Sequence, residues 1–422
     1  MNWAEAALDI ARACSADAIW HAHRCVFPAA TAGDRLGDPP RFQTTGPDLY
    51  EGVAGIARFL AQAAAMTGDP KVRRAALGSA RQALFAPIGG WSLFSGSAGV
   101  GLAVLDVAQL LDAPELVGPS VERIEAASVA ALNEANTPFD LLAGLSGVVM
   151  ALIWASPYDL DGGWRARAFD LGRQIMGAAH AIDDNPEGPI AWPLANGAAE
   201  HLCGLAHGAA GAALAFDALG RLVPAEPGWA AAARRARSYE QIHYDPDHGS
   251  FADLRRPDPG QPAGLPPHPH MWCHGSVGVA AERLRADPAD LLACADLAGA
   301  LAGARRFAET ITRGAAGPGA GQLANLSQCH GVSGLIDLFL DAHAASGDDS
   351  YRSIAEELGT FMINDAHRED GWRSGVPGGW RTPGLMLGEA GIGWAFLRLE
   401  QQSLTAVWEL RLSTATKPER LI

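Results

Sequence analysis

A chain of 422 residues, 48% of them hydrophobic, can bury a large core, and its abundance of alanine and leucine over β-branched residues favours helices. A formal net charge of −15 and the lack of any basic run exclude a nucleic-acid-binding surface, which needs clustered Lys and Arg. The N-terminal stretch MNWAEAALDIARAC has acids inside its apolar pattern, and no apolar run reaches the ~18–20 residues of a membrane span, so a soluble, cytoplasmic protein is expected.

In chain order, the first ~50 residues fit a helix and a loop, too little to hold a further catalytic domain. Seven related segments follow: YEGVAGIARFL, FSGSAGVGLAVL, LAGLSGVVMAL, LAHGAAGAALAF, WCHGSVGVAAERL, QCHGVSGLIDLF and MLGEAGIGWAFL. Each holds G-x-x-G ahead of an apolar run, with first glycines at 52, 96, 144, 208, 275, 331 and 388. The spacing of 44 to 67 residues leaves room for a second helix in every unit. DPKVRRAALGSARQALFA, GWRARAFDLGRQIMGAAHAI and SYRSIAEELGTFMI show apolar positions at helical spacing with charge on the other face. The glycine-led helices are apolar nearly all round, which predicts burial on every side. An open solenoid would leave one flank of each inner helix uncovered. The expected fold is therefore all-α: a closed α/α toroid of seven inner and seven outer helices, forming one domain over 1–422. The glycines are expected at tight entries to the inner helices, needing positive φ or close packing.

The position before each first glycine reads Glu51, Ser95, Ala143, His207, His274, His330 and Leu387, and one position earlier stand Cys273 and Cys329. In a ring these equivalent positions share one end of the central cavity. Thiolate with imidazole suits Zn²⁺, and a catalytic zinc site takes three protein ligands with the fourth position open. Cys273, Cys329 and His330 are the expected ligands. Spacing alone leaves His274 as an equal candidate for a fourth, which would close the site and make it structural. The plain alternative is buried cysteines beside unrelated histidines. His207, in the same column, suits general acid–base work because imidazole titrates near neutrality. Asp140 reads by itself as a helix N-cap and gains a chemical role only beside His207. His268 and His270 sit in a proline-rich surface loop or approach the metal from outside its ligand set. Cys203 and Cys294 read as packing residues, and Cys14 and Cys25 have no partner legible in the sequence.

GLAHGAAG, WCHGSVGVA and CHGVSGL, in that order and spacing, resemble the lanthionine synthetase C-like family, the lanthipeptide cyclases and their glutathione-binding relatives. The resemblance extends over the whole chain through the seven glycine repeats. It implies a toroid with one zinc ion on Cys273, Cys329 and His330, an acid–base histidine at His207 and an active-site aspartate at Asp140. It further implies addition of cysteine thiols to dehydroalanine or dehydrobutyrine in a modified precursor peptide, with dehydration left to a separate enzyme. Many bacterial members have Tyr where His274 stands, and an Arg where this chain reads PPHPHM. The WCHG form is also similar to the glutathione-binding relatives. Two other readings follow: addition of glutathione or another small thiol to dehydroamino acids in proteins, and a non-catalytic zinc-stabilised scaffold that binds a peptide. The isoprenoid-handling α/α toroids do not share this arrangement of His and Cys.

Overall fold

A computed structural model describes residues 3–31, 39–134, 137–193, 201–255, 267–287, 290–313, 325–369 and 371–412, without the side chains of 291–294, so Cys294 lies outside the described side chains. Its fourteen helices among the described residues are α1 (Trp3–Ala16), α2 (Val53–Thr67), α3 (Pro70–Phe85), α4 (Ser97–Leu110), α5 (Val117–Asn133), α6 (Leu145–Trp154) and α7 (Gly163–Gly177) in the first half. Then come α8 (Ala209–Leu222), α9 (Pro227–Ile242), α10 (Ser276–Arg283), α11 (Leu291–Thr312), α12 (Val332–Ser346), α13 (Asp349–Arg368) and α14 (Glu389–Glu400). The even-numbered helices form the inner wall and the odd-numbered ones the outer. Each inner helix packs on the outer helix that follows it, and α14 packs on α1, which closes the double ring. Among the described residues, four short antiparallel hairpins lie between helices; two of them, β1–β2 (Ile19–His21 with Arg24–Val26) and β3–β4 (Pro28–Thr31 with Arg41–Thr44), follow α1. The helical pattern of GWRARAFDLGRQIMGAAHAI stops at Gly177, and its tail forms β5 (His180–Ala181), paired with β6 (Ile190–Ala191). No helix among the described residues is long and apolar enough to cross a membrane.

Amphipathicity sorts the two layers. α3 buries Val72, Ala75, Ala76, Ser79, Ala80 and Ala83, one stripe at helical spacing, and turns its basic residues outward. In α10, between two inner neighbours and an outer helix, all eight residues from Ser276 to Arg283 are buried. The charged ones among them are paired: Glu282 with Arg237 and Arg283, and Arg283 with Asp296.

The glycine pairs answer a steric demand of the turn. A Cβ on the second glycine would lie between 1.5 and 2.6 Å from the carbonyl oxygen six residues earlier in every unit, from Leu93 at Gly99 to Leu205 at Gly211. The turn carbonyl thus packs where a side chain would begin. The first glycines adopt extended backbone, except Gly275, whose φ of 87° is a conformation few other residues adopt. Close approach, not positive φ, is the general reason.

The turns are stitched into a belt. The residue two before each first glycine donates its backbone N–H to its counterpart in the next unit. Tyr50 donates to Phe94 (3.0 Å), Phe94 to Leu142 (3.1 Å), Leu142 to Ala206 (3.1 Å) and Ala206 to Cys273 (3.4 Å). Cys273 donates to Cys329 (3.3 Å), Cys329 to Met386 (3.0 Å) and Met386 back to Tyr50 (2.8 Å). Buried backbone groups in seven loops are satisfied by one circular ladder, which also fixes the register of every turn. At the opposite mouth the C-terminal segment enters the ring. The N–H of Val407 bonds Asp337 (2.9 Å), Trp394 donates to the Thr405 carbonyl (3.2 Å), and Trp408 is buried.

Candidate metal and thiol centre

The belt brings Cys273 and Cys329 together, because they occupy the same position in neighbouring units. Their thiols interact electrostatically and are almost completely shielded from solvent. Cys273 is drawn below the ordinary thiol range, first by the Cys329 S–H, against burial, with Arg255 and His207 helping. Cys329 is pushed well above the range by Cys273 and by burial. The two titrate as a pair that gives up its first proton readily. The Tyr50 hydroxyl, from the same belt position in the first unit, lies within electrostatic reach of Cys329 and Cys273.

His330 follows Cys329 in the turn before α12. Its Nε2–H donates to the Gly375 carbonyl at 3.0 Å. That bond fixes the tautomer and leaves Nδ1 a bare lone pair, the arrangement a metal-bound imidazole adopts when its far nitrogen is held by a carbonyl. Burial lowers the His330 pKa and keeps the ring neutral. The donor set of two thiols and a neutral imidazole fits zinc by its chemistry. Among the described residues, however, only Asp245, His248 and His268 bring three ligand atoms within 4.8 Å of one another; Cys273, Cys329 and His330 do not close to that spacing. His274 does not join them either. Its Nδ1–H reaches the Cys203 carbonyl at 3.3 Å, and its Nε2 is buried without a partner. Burial, with Arg255 nearby, pushes His274 down to about 3.

His207 stands in the turn before α8, its ring stacked on that of His274 with centroids 5.7 Å apart. Its Nδ1 lies 3.1 Å from Asp140 Oδ2, which makes Nδ1 the donor to the carboxylate and leaves Nε2 for other chemistry. Burial pulls the His207 pKa down, but the bond and charge of Asp140, with Cys273, raise it above the ordinary value. Asp140 holds its own place by accepting the Ala143 N–H on Oδ1 at 2.6 Å. It does not cap α6, whose N-cap is Gly144; the turn bond and the histidine each take one oxygen.

Two residues that sequence reasoning missed complete the surroundings. Arg255 is held by Asp253 through Nε (2.9 Å) and Nη2 (2.6 Å) and places a positive charge within electrostatic reach of Cys273, Cys329 and the three column histidines. It comes from outside the repeats, so no register marks it. Tyr50 could have been found by reading the cysteine column around to the first unit. His270 is not directed at the thiols: it bonds Ser276 Oγ (2.7 Å) and stacks on Phe307, and burial beside Arg306 pushes it to about 4. Cys203 is buried against Glu240, and Cys25 packs on Ser79.

The family model for lanthionine synthetase C-like proteins matches residues 43–411. The chain belongs to that family. Among solved structures, this lanthionine synthetase C-like protein is similar to nisin cyclase, with a TM-score of 0.63 at 16% identity over 86% of this chain and 91% of that one. The likeness shows the shared toroid. An unsaturated glucuronyl hydrolase specific for heparin matches at a TM-score of 0.45 and 11% identity, covering 95% of this chain and 96% of that one. The cellobiose 2-epimerase from Spirochaeta thermophila DSM 6192 matches at 0.44 and 13% identity, covering 95% of this chain and 96% of that one. No curated protein shows a significant match to the sequence.

Proposed function

We propose that this protein, acting as one domain over 1–422, is a zinc-dependent cyclase that forms thioether rings in a dehydrated precursor peptide. Cys273, Cys329 and His330 hold the zinc; His207 and Asp140 handle the proton. The observation that carries the reading is the convergence at one end of the ring of paired thiols, an imidazole with a bare Nδ1, and a carboxylate-held His207. When bound there, zinc supplies an open coordination position and lowers the pKa of a substrate thiol.

The chain's own residues account for the rest. A substrate thiolate adds to the β-carbon of a dehydroalanine or dehydrobutyrine, the C–S bond forms, and the broken C=C leaves an enolate. His207, whose protonated form Asp140 favours, delivers a proton to the α-carbon, and the proton released by the substrate thiol restores it, so the addition is neutral overall. Arg255 favours the negative charge that gathers there. The substrate is a leader peptide joined to a dehydrated core, made by a separate dehydratase, and the reaction takes place in the cytoplasm.

Ring closure is an isomerisation, so its signature is loss of free thiols without a change of mass. The protein is incubated with zinc and a dehydrated, cysteine-containing peptide, and thiols are counted by alkylation. Thiols that persist at the uncatalysed rate would remove ring formation as the activity. A second reading, addition of glutathione or another small thiol to a dehydrated protein, draws support from the Trp272–Gly275 WCHG form. It predicts a gain of one thiol mass per dehydrated site. A scaffold that only binds peptide predicts neither outcome, and full function after His207→Ala.

A further inference from the structure

A second group of ligating side chains stands apart from the thiols. Strand β7 (Tyr244–Asp245) turns into β8 (Ser250–Phe251), with His248 in the turn. His268 comes from the segment that leads into Cys273. We propose that Asp245, His248 and His268 form a second divalent metal site, which clamps the β7–β8 hairpin to the loop carrying Cys273.

The Asp245 carboxylate has two separate tasks. Its Oδ1 accepts the N–H groups of Asp247 (2.8 Å) and His248 (3.1 Å), which builds the turn and fixes the carboxylate plane. Its Oδ2 faces His248 Nδ1 at 3.0 Å and His268 Nε2 at 3.6 Å. Donors at about 2.0–2.1 Å from one tetrahedral metal lie roughly 3.4 Å apart, so these separations are those of neighbouring vertices. One ligand atom from each of the three residues falls within 4.8 Å of the others.

Among the described residues, no Lys or Arg pairs with that oxygen. Among the described residues, Asp245 pairs only with the two histidines; Arg306, the nearby guanidinium, is held on the Asp247 carbonyl at 3.3 Å. The imidazoles of His248 and His268 lie with centroids 4.7 Å apart. His268 Nδ1 is buried without a hydrogen-bond partner, so the ring's polar company is Asp245 and His248. Two imidazoles and one carboxylate suit a borderline ion such as Zn²⁺, Co²⁺ or Ni²⁺. The partial exposure of His248 leaves the remaining positions to water.

The hairpin is already bolted to the thiol loop: Ser250 Oγ donates to the Pro269 carbonyl and accepts the Ser276 N–H at 3.0 Å. A metal joining His248 to His268 would add a second tie between the hairpin and that loop. It would steady Cys273 on one side of that clamp and the Asp253–Arg255 arm on the other.

The test counts metal with the thiol centre removed. The full chain carrying Cys273→Ser and Cys329→Ser is loaded with Zn²⁺, dialysed and assayed by elemental analysis, with circular dichroism to verify the fold. One retained equivalent is expected, and His248→Gln with His268→Gln should abolish it. Cobalt titration of the otherwise wild-type chain gives an independent count. His268→Gln should then lose one equivalent while leaving the thiolate-to-cobalt charge-transfer band intact. A folded thiol-free variant that retains no metal, or histidine variants whose metal content equals that of their parents, would overturn the site. Neither result bears on ring formation, which is read by thiol loss.

Discussion

Replacing Asp140 by Asn is the sharpest test of the proton-handling pair, because it changes charge and almost nothing else. Asn can keep the Ala143 turn bond through its amide oxygen, so the turn survives. Its NH₂ then faces His207 Nδ1, which must accept instead of donate, and the ring proton moves to Nε2. Two unit charges 3.1 Å apart attract by about 5 kcal/mol at an effective dielectric near 20. His207 is 33% exposed, so solvent screening leaves roughly 1–3 kcal/mol of that. Losing this stabilisation of the imidazolium, together with the correct tautomer, should lower kcat by about 10²–10³-fold, within what a positioned general acid contributes. The pH dependence has a definite sign. The His207 pKa is raised in the native protein, since Asp140 outweighs burial, so the acid form and the activity persist below that pKa and are lost above it. In Asp140→Asn the falling limb must move to lower pH, while bound zinc stays at the wild-type level. The assay is thiol loss from a dehydrated peptide across pH, with metal content measured on the same samples. A wild-type rate, or an unmoved limb, would refute the role given to this pair.

Four further outcomes are expected. Cys329→Ala should lose the zinc of the thiol centre, leaving one equivalent fewer than wild type by elemental analysis. Glu240 accepts the N–H groups of Gly204 and Ala210 in full burial, which raises its pKa to about 7 despite Arg283 and those bonds. The native state therefore resists ionisation that the unfolded chain undergoes from about 4.5 upward, and stability drains away as pH rises through 7; Glu240→Gln should gain Tm relative to wild type between pH 5 and 8, and parallel curves would exclude this. Gly99→Ala, whose Cβ would stand 1.5 Å from the Leu93 carbonyl, should cost at least about 3 kcal/mol in thermal unfolding. Gly118→Ala, with open space around it in α5, should gain up to about 1 kcal/mol, and equal melting of the two variants would contradict the steric account of the repeats.

The ring was legible because its repeats carry their signal in side chains: glycine pairs at the turns and apolar runs after them. For the glycines, close packing and positive φ stood as alternatives in the sequence; close packing holds, and its partner, a backbone carbonyl, has no side chain to mark it. The short hairpins after α1 and the β5–β6 pair also escaped; strands of two to four residues leave no period to read. At the site, the column before the glycines yielded His207, His274 and His330, while Asp140 read by itself as a helix N-cap and took its site role from the family resemblance. The Gly375 carbonyl that orients His330 has no side chain to announce it. Arg255 and Asp253 come from the exit of a hairpin between units four and five, where the repeat offers no register.

The belt explains why the thiols had to come in consecutive units. Its members are neighbours only to the units on either side, and the Cys273 N–H rests on the Cys329 carbonyl at 3.3 Å. Two cysteines at this position are therefore held side by side by backbone bonds, before any metal binds. The next position in each turn is directed elsewhere: His330 reaches Gly375 near the seventh unit, and His207 reaches Asp140 in the third. A one-residue shift thus separates a column that gathers sulfur from a column that places imidazoles around it. The same turn, repeated and closed, carries both the proposed ligands and the proposed acid, and the belt holds their spacing on rigid backbone instead of on side-chain packing.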